Sequence, residues 1–208
     1  MTTILITGFG RFPGAPFNPS GPLALALAKR RRPAFAELRR AVHIFETSYA
    51  AVDRDLPKLI ANHKPDILLM FGLAARTPFV RVETRARNAM SILFPDVSGF
   101  RPDEPAITRG KPALTGPAPF RHLLGAARTA RVPARMSRDA GRYLCNYIYW
   151  RALEVSRCGT PLAQFIHIPP VANGSRPKGR RRRLSQAALT RAGEAILLAL
   201  LAARRRLG

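Results

Sequence analysis

The stretch DILLMFG, residues 66–72, decides the fold of this chain. It is a continuous apolar run that ends at a glycine, which is typical of a strand buried on both faces of a parallel sheet. Two more strands are predicted upstream, at TILIT (3–7) and RAVHIFETS (40–48), and helical patterns at 21–32 and 48–63 separate the three. Because this alternation is typical of parallel strands with helices on both faces, we expect an α/β fold.

Further along the chain, the pattern of elements is less regular. FVRVETRARNA (79–89) alternates apolar and polar residues and predicts one strand with a wet face, and residues 91–119 are rich in turn residues. A helix at 120–130 and a strand at VPARM follow, then a helix that contains Cys145 and a strand at AQFIHI. The last helix is predicted to begin at Ser185 as its N-cap. Its apolar stripe consists of Leu189, Ala192, Ile196 and Leu200.

Length and composition indicate one globular domain over residues 1–208, because 47% of the residues are hydrophobic. The two cysteines, Cys145 and Cys158, are too few for a disulfide framework and favour a reducing compartment. The N-terminus is predicted to be the first strand and not a signal peptide. The apolar runs are too short to span a bilayer, so we expect a soluble cytoplasmic protein with no membrane partner.

The net charge of +23 is the strongest bias in the composition. Such a charge suits a nucleic-acid or anionic-surface partner, but arginines scattered over solvated faces are the favoured explanation. The basic run KGRRRR (178–183) has no interleaved aromatic residue, so base stacking is not indicated. We therefore do not expect nucleic acid as a partner, and residues 172–183 are predicted to be a mobile basic loop.

Cys145 lies in the stretch SRDAGRYLCNYIYW (137–150), in what is predicted to be the first turn of a helix. The unpaired N–H groups and the dipole of a helix N-terminus favour the thiolate, which is the nucleophilic form, and the same amides can face an oxyanion. Ser137 or Asp139 is predicted to cap this helix, and Gly141 would let the backbone approach a ligand. The alternative is a small buried hydrophobic residue.

A cysteine nucleophile needs a base, and His167 is the candidate among four histidines. His43, His63 and His122 fall within a predicted strand or helix and are expected to be ordinary. His167 lies near the carboxyl end of a predicted strand, and ligands of parallel sheets bind beyond those ends. The N-terminus of a helix that follows a strand opens at the same edge, so His167 and Cys145 are expected to face each other; the alternative is a core histidine.

Glu83 is the candidate for the third role, a carboxylate that orients the imidazole and stabilises the imidazolium. Only 12 residues are acidic, and this one lies between apolar residues and arginines. The alternative is a surface salt bridge to Arg81 or Arg85.

Several stretches together resemble the pyroglutamyl-peptidase I (pyrrolidone-carboxylate peptidase) family. They are found in the family's order and span nearly the whole chain: GFGRFPGAPFNPS, FGLAARTPFVRVETRARN, SILFPDVSGFRPDEPAI, and SRDAGRYLCNYIYW followed by FIHIPP. The most specific pair is AGRYLCNYIYW with FIHIP about twenty residues later.

The resemblance implies a cysteine peptidase that removes N-terminal pyroglutamyl residues from peptides through a thioester. It implies a catalytic triad of Glu83, Cys145 and His167, and no metal or organic cofactor. It also implies that Phe9 and Phe12 hold the pyrrolidone ring while Asn18 braces their loop. The implied fold is a single three-layer α/β/α sandwich with a mostly parallel central sheet, often assembled as a homodimer or homotetramer.

The sequence departs from the family pattern near the expected pocket. Arg11 and Pro13 flank Phe12 where the family usually has proline and glycine. Leu73 replaces a frequent glutamine, and Leu93 replaces an arginine frequent in bacterial members, for which Arg85 or Arg87 is a candidate substitute. An amidase of the same fold with a different N-acyl group is therefore an alternative function, and a basic nucleic-acid or anionic-surface binding protein is a weaker one.

Overall fold

The computed structural model describes residues 1–12, 16–156, 161–172 and 183–207. Pro13, Cys158 and almost all of the predicted basic loop at 172–183 lie outside the described residues. The elements follow in chain order: β1 (Thr3–Phe9), α1 (Ser20–Lys29), β2 (Arg39–Phe45), α2 (Tyr49–His63), β3 (Ile67–Leu73), β4 (Val80–Glu83), β5 (Arg85–Arg87), β6 (Ala113–Thr115), α3 (Phe120–Thr129), β7 (Ala134–Ser137), α4 (Leu144–Ser156), β8 (Leu162–Ile168) and α5 (Gln186–Leu207).

The central sheet has six strands in the order β2-β1-β3-β8-β4-β7. The first four strands are mutually parallel, β4 is antiparallel to β8, and β7 is parallel to β4. The predicted mostly parallel sheet is confirmed, and DILLMFG forms β3 in its middle. Every residue from Ile67 to Gly72 is buried, as the continuous apolar run indicates.

The predicted single strand at 79–89 is wrong, because the segment forms two strands in different sheets. β4 ends at Glu83, which pairs with Ser137, the last residue of its neighbour β7. Beyond that point β5 pairs with β6 in a separate two-stranded sheet, and the backbone N–H of Arg87 donates to the side chain of Asn146 on α4. The strand breaks where its partner in the main sheet ends.

The helices cover both faces of the sheet, which confirms the three-layer α/β/α sandwich. One core contains the buried faces of α1, α3 and α5, and the other contains those of α2 and α4. Alternate residues of β1 supply the two cores, with Ile4 and Ile6 in the first and Leu5 in the second.

The helix α5 corrects one expectation, because by length and composition it is the one helix of the described residues that could cross a membrane. In this fold it is a core helix: 56% of the apolar window is buried, and its four predicted stripe residues are at most 2% exposed. Ser185 is the N-cap, as predicted, since its Oγ accepts from the N–H of Ala188 at 3.1 Å.

Gly8 in β1 allows α1 to start directly above the sheet. A Cβ at this position would lie 2.5 Å from the backbone carbonyl oxygen of Ser20. We expect Gly8→Ala to lower the free energy of unfolding by roughly 1–3 kcal/mol, because the methyl group meets backbone that cannot rotate away. Thermal and urea unfolding measure the loss.

Gly125→Ala is the matched control for that substitution. Gly125 is an exposed position of α3 with nothing within 4 Å of a new Cβ, so alanine is expected to stabilise the protein by about 0.5–1 kcal/mol. Equal unfolding free energies for the two variants would contradict the assigned packing of α1 on β1.

Candidate active site

The candidate site lies where the carboxyl ends of β3 and β8 meet the N-terminus of α4. His167 on β8 pairs with Gly72 on β3. Cys145, the second residue of α4, packs its sulfur against Gly72, since a Cβ there would lie 2.6 Å from Sγ. The sheet edge thus brings the thiol and the imidazole together, as the sequence analysis predicts.

Glu83 lies behind the imidazole. Its Oε1 is 2.8 Å from Nδ1 of His167, and the two residues are 0% and 5% exposed. The backbone carbonyl of Glu83 accepts from the Tyr149 hydroxyl at 3.1 Å and from the Gln164 amide at 2.9 Å, so α4 and β8 both hold the end of β4 in place. The carboxylate therefore has a fixed position beside the ring.

The environment of His167 favours its protonated form. Burial lowers the pKa of this imidazole, but the charge of the Cys145 thiolate, the hydrogen bond to that sulfur and the Glu83 carboxylate outweigh burial and raise the pKa to about 9. His167 is therefore a cation near neutral pH. The structure brings the three predicted residues together: the Glu83 carboxylate contacts the imidazole, and the imidazole and the sulfur line one cavity.

The predicted caps of α4 are wrong. The helix begins at Leu144, whereas Ser137 is the last residue of β7 and Asp139 belongs to the turn between them. The carboxylate of Asp139 accepts from the N–H of Gly141 at 3.0 Å, and Gly141 adopts a φ of 88° that turns the chain towards the helix. Cys145 is nonetheless in the opening turn, where backbone N–H groups have no partner within the helix.

A cavity of about 150 Å³ opens in front of the thiol and the imidazole. A dry protein cavity of about 150 Å³ can hold one benzene ring, so this one suits a single small ring. The three predicted pocket residues line it, together with Cys145 and His167. Its wall is formed by Phe9, Phe12, Asn18, Thr47, Leu73, Ala140, Tyr143, Leu144, Cys145 and His167.

Asn18 forms hydrogen bonds that connect the first loop to the start of α1. Its side-chain amide donates to the carbonyl of Gly10 at 3.0 Å, and its Oδ1 accepts from the hydroxyl of Ser20 at 2.8 Å. The Ser20 hydroxyl in turn accepts from the N–H of Phe9 at 3.0 Å. Phe9 also packs on Phe45, with ring centroids 6.0 Å apart, so it serves the core and the cavity wall at once.

The departures from the family pattern have different positions. Leu73 lines the cavity, whereas Leu93 is 71% exposed and does not line it. Arg85 donates to the carbonyl of Arg138 at 2.7 Å, and Arg87 pairs with Asp139 at 3.3 Å. These bonds direct both guanidinium groups to the turn before α4.

The guanidinium that reaches the carboxylate belongs to Arg81, with Nε 2.9 Å from Oε1 of Glu83. A surface salt bridge to Arg81 or Arg85 was the alternative to a triad role for Glu83. The ion pair is present, but Glu83 is fully buried and contacts His167 with the same oxygen.

Four lining residues were not predicted from the sequence: Thr47, Ala140, Tyr143 and Leu144. Thr47 follows β2, so the rule that ligands lie beyond the carboxyl ends of strands identifies it in retrospect. Tyr143 stands two residues before Cys145, and its hydroxyl donates to the carbonyl of Pro95 at 2.8 Å. Among the described residues, no group of three or more His, Cys, Asp or Glu side chains is arranged to hold a metal ion.

Comparison with known proteins gives a consistent result. The family model described as pyroglutamyl peptidase matches residues 2–197. The pyrrolidone-carboxylate peptidase of Thermococcus onnurineus is 36% identical over 173 residues, which are 80% of this chain and 82% of that protein. The enzyme of the same name from Clavibacter michiganensis is 34% identical over 172 residues, with 81% and 79% covered.

Solved structures agree with the sequence relatives. The pyrrolidone carboxyl peptidase from Thermococcus litoralis superimposes with a TM-score of 0.88 at 28% identity and covers 99% of this chain and 96% of that one. A mutant pyrrolidone carboxyl peptidase from Pyrococcus furiosus gives a TM-score of 0.87 at 25% identity, with 98% and 100% covered. Sequence, fold and the arrangement of the cavity thus lead to one conclusion: the chain belongs to the pyroglutamyl peptidase family of cysteine peptidases.

Proposed function

We propose that this chain removes N-terminal pyroglutamyl residues from peptides, with Cys145 as nucleophile, His167 as general acid and base, and Glu83 as the orienting carboxylate. The observation that carries the proposal is the position of His167: its Nδ1 contacts a buried carboxylate at 2.8 Å, and its ring lines the same ring-sized cavity as the sulfur of Cys145. Family membership supports the same chemistry.

In the proposed first step the Cys145 thiolate attacks the carbonyl carbon between pyroglutamate and the next residue. Backbone N–H groups in the first turn of α4 stabilise the oxyanion that forms. The His167 imidazolium then gives its proton to the leaving amine as the C–N bond breaks, and a thioester remains on the sulfur. This step consumes no cofactor.

In the second step neutral His167 takes a proton from water as the oxygen attacks the thioester. The C–S bond breaks, pyroglutamate leaves as the acid, and the thiolate–imidazolium pair is restored. Glu83 keeps Nδ1 of the ring protonated and stabilises the imidazolium, while the other ring nitrogen exchanges the proton. The buried position of the carboxylate makes this orientation permanent.

Phe9 and Phe12 are proposed to contact the lactam ring, with Asn18 holding their loop in place. A lactam is small, flat and uncharged, so aromatic side chains can pack on it at little desolvation cost. A peptide with a free α-amino group would place an unpaired charge in the same cavity and is therefore rejected.

Two fluorogenic amides that differ only in the acyl group test the proposal. Under reducing conditions we expect turnover of the pyroglutamyl amide at least roughly 100-fold faster than that of the glutamyl amide. The glutamyl amide would have to bury its charged α-amino group in the cavity without a partner. Prior alkylation with iodoacetamide should abolish the activity. Absence of turnover by untreated enzyme would contradict the proposal.

Leu73 favours one second candidate, a cysteine amidase that accepts a different N-acyl group. Leu73 lies in the cavity wall, at a position where the family often has glutamine. Its apolar side chain offers no hydrogen bond to an acyl amide. A panel of N-blocked amides distinguishes the candidates: faster turnover of an apolar acyl group than of pyroglutamyl would favour the second one.

The remaining expectations concern the setting of the enzyme. The proposed substrate is an N-terminally blocked peptide, and the proposed location is the cytoplasm, where a catalytic thiol remains reduced. A homodimer or homotetramer is proposed from the family resemblance, and light scattering coupled to gel filtration measures it. Residues 1–208 are proposed to form one domain.

A further inference from the structure

Arg81 occupies a special place in β4, because it shares one face of the strand with Glu83 and lies opposite His167. Arg81 and Glu83 are two positions apart, and side chains at that spacing in a strand point to the same face. Arg81 is also the direct antiparallel partner of His167. Its Nε is 2.9 Å from Oε1 of Glu83, the oxygen that also contacts Nδ1 of His167 at 2.8 Å. One carboxylate oxygen therefore has two cationic partners.

The other end of the guanidinium reaches the chain that leads to the nucleophile. Nη2 of Arg81 donates to Oγ of Ser137 at 2.7 Å and to the carbonyl oxygen of Asp139. Ser137 ends β7, and Asp139 lies in the turn before the helix of Cys145. Arg81 thus connects the carboxylate of the site to the segment that positions its sulfur.

We infer that Arg81 is a positioning residue that holds Glu83 beside His167 and, through its charge, limits how strongly this carboxylate stabilises the imidazolium. The inference rests on the proposed function, in which His167 must be protonated to release the amine and neutral to activate water. A carboxylate with no other cation would favour the first state too strongly, because opposite charges in a buried site interact with little screening.

Among the described residues, the other groups that face this cluster leave Arg81 as the cation that shares the Glu83 carboxylate with His167. From α4, Cys145 contributes the thiolate and Tyr149 a neutral hydroxyl bound to the Glu83 carbonyl. From the turn before α4, Asp139 faces Arg81 but pairs its carboxylate with Arg87 from β5. From β8, the neutral amide of Gln164 contacts the Glu83 carbonyl, and β3 contributes only Gly72 opposite His167.

The test is the titration of His167 in Arg81→Met and Arg81→Lys variants. With only four histidines in the chain, the imidazole resonance of His167 can be assigned by NMR from its absence in His167→Asn. We expect R81M to raise the pKa of His167 by about half a unit or more, because Glu83 loses its competing cation, and R81K to leave it within about 0.2 units. The basic limb of the kcat/KM profile should move in the same direction.

Arg85→Met is the matched control. It deletes the same charge one strand further on, from a side chain that bonds to the Arg138 carbonyl, and should leave the His167 titration unchanged. If R81M does not fold, Arg81→Gln removes the charge while keeping a side-chain amide near the position of Nε, where it can donate to Glu83, and carries the same expectation.

An unchanged pKa of His167 in R81M, an equal shift in R81K, or an equal shift in R85M would overturn the inference. The titration does not depend on any substrate. A shift of the His167 pKa in R81M, together with no turnover of a pyroglutamyl amide by the unsubstituted protein, would therefore contradict the proposed function and leave the role of Arg81 intact. Turnover without a shift would do the opposite.

Discussion

Replacing Cys145 by serine is expected to lower kcat/KM for a pyroglutamyl amide by about 10⁴-fold or more, with the fold unchanged. The sulfur is the only atom exchanged, so sterics are nearly preserved. The chemistry is not, because a serine hydroxyl remains neutral where a thiol ionises. The proposed attack depends on an anion already present before the substrate binds, and a hydroxyl next to His167 does not supply it.

Cys145→Ser is also expected to lower the pKa of His167, which is the direction in which burial acts. The thiolate of Cys145 is the largest influence that raises the pKa of this imidazole to about 9, and burial opposes it. In Cys145→Ser the attraction disappears while burial remains, so the pKa is expected to fall. NMR titration measures this shift without any substrate.

Two measurements keep the Cys145 prediction separate from a folding defect. The thermal midpoint of Cys145→Ser should stay close to that of the unchanged protein, because the side chain is only partly buried and the replacement is nearly isosteric. Iodoacetamide should lose its effect on the residual activity. A serine variant that retains more than about a tenth of the activity would rule out the thiolate mechanism.

The fold was largely predictable because its first half follows a regular pattern. Continuous apolar runs at β1 and β3 predict strands buried on both faces, and the helices between them require parallel connections. The order of strands in the sheet is not contained in this pattern. It depends on which apolar faces pack together in three dimensions, and β4, which is antiparallel to β8, is an example.

The site was predictable to the extent that it obeys the geometry of sheet edges. His167 and Cys145 meet because the end of a parallel strand and the start of a helix share one edge, and this rule needs only the sequence order of elements. Asp139 was misassigned as a cap because helix boundaries are uncertain by a few residues in a segment rich in turn formers. Its carboxylate satisfies the turn, through the N–H of Gly141, and not the helix.

Arg81 shows what pattern analysis misses. An arginine two residues before a glutamate on a strand is usually a surface ion pair, and nothing in the local sequence says that the glutamate is buried. Burial comes from β8 and β7, which pair with β4 on either side although they are distant in the chain. The same two residues therefore have a different meaning once the sheet is assembled.

Gly72→Ala is expected to reduce kcat/KM by about 100-fold or more, although residue 72 has no functional group to contribute. The missing side chain is what the site uses. A Cβ at this position would lie 2.6 Å from Sγ of Cys145 and 2.7 Å from Cζ of Phe165. The methyl group must displace the sulfur, the ring or both, and the Phe165 ring contacts His167 with centroids 4.9 Å apart. Either displacement separates the nucleophile from its base.

Gly72→Ala is expected to lower the free energy of unfolding by roughly 1–3 kcal/mol. The protein should still fold, because the new methyl group clashes with side chains and not with backbone. Gly10→Ala is the control at the same rim of the sheet, where an added Cβ meets only the Phe45 carbonyl at 3.5 Å. Its kcat/KM is expected to stay within about threefold of the unchanged protein, since contact at that distance is ordinary packing. Full activity in Gly72→Ala, with alkylation of Cys145 at an unchanged rate, would show that the sulfur does not need the space that this glycine leaves. The terminal glycine of the stretch that forms the central strand would then have no part in placing the nucleophile.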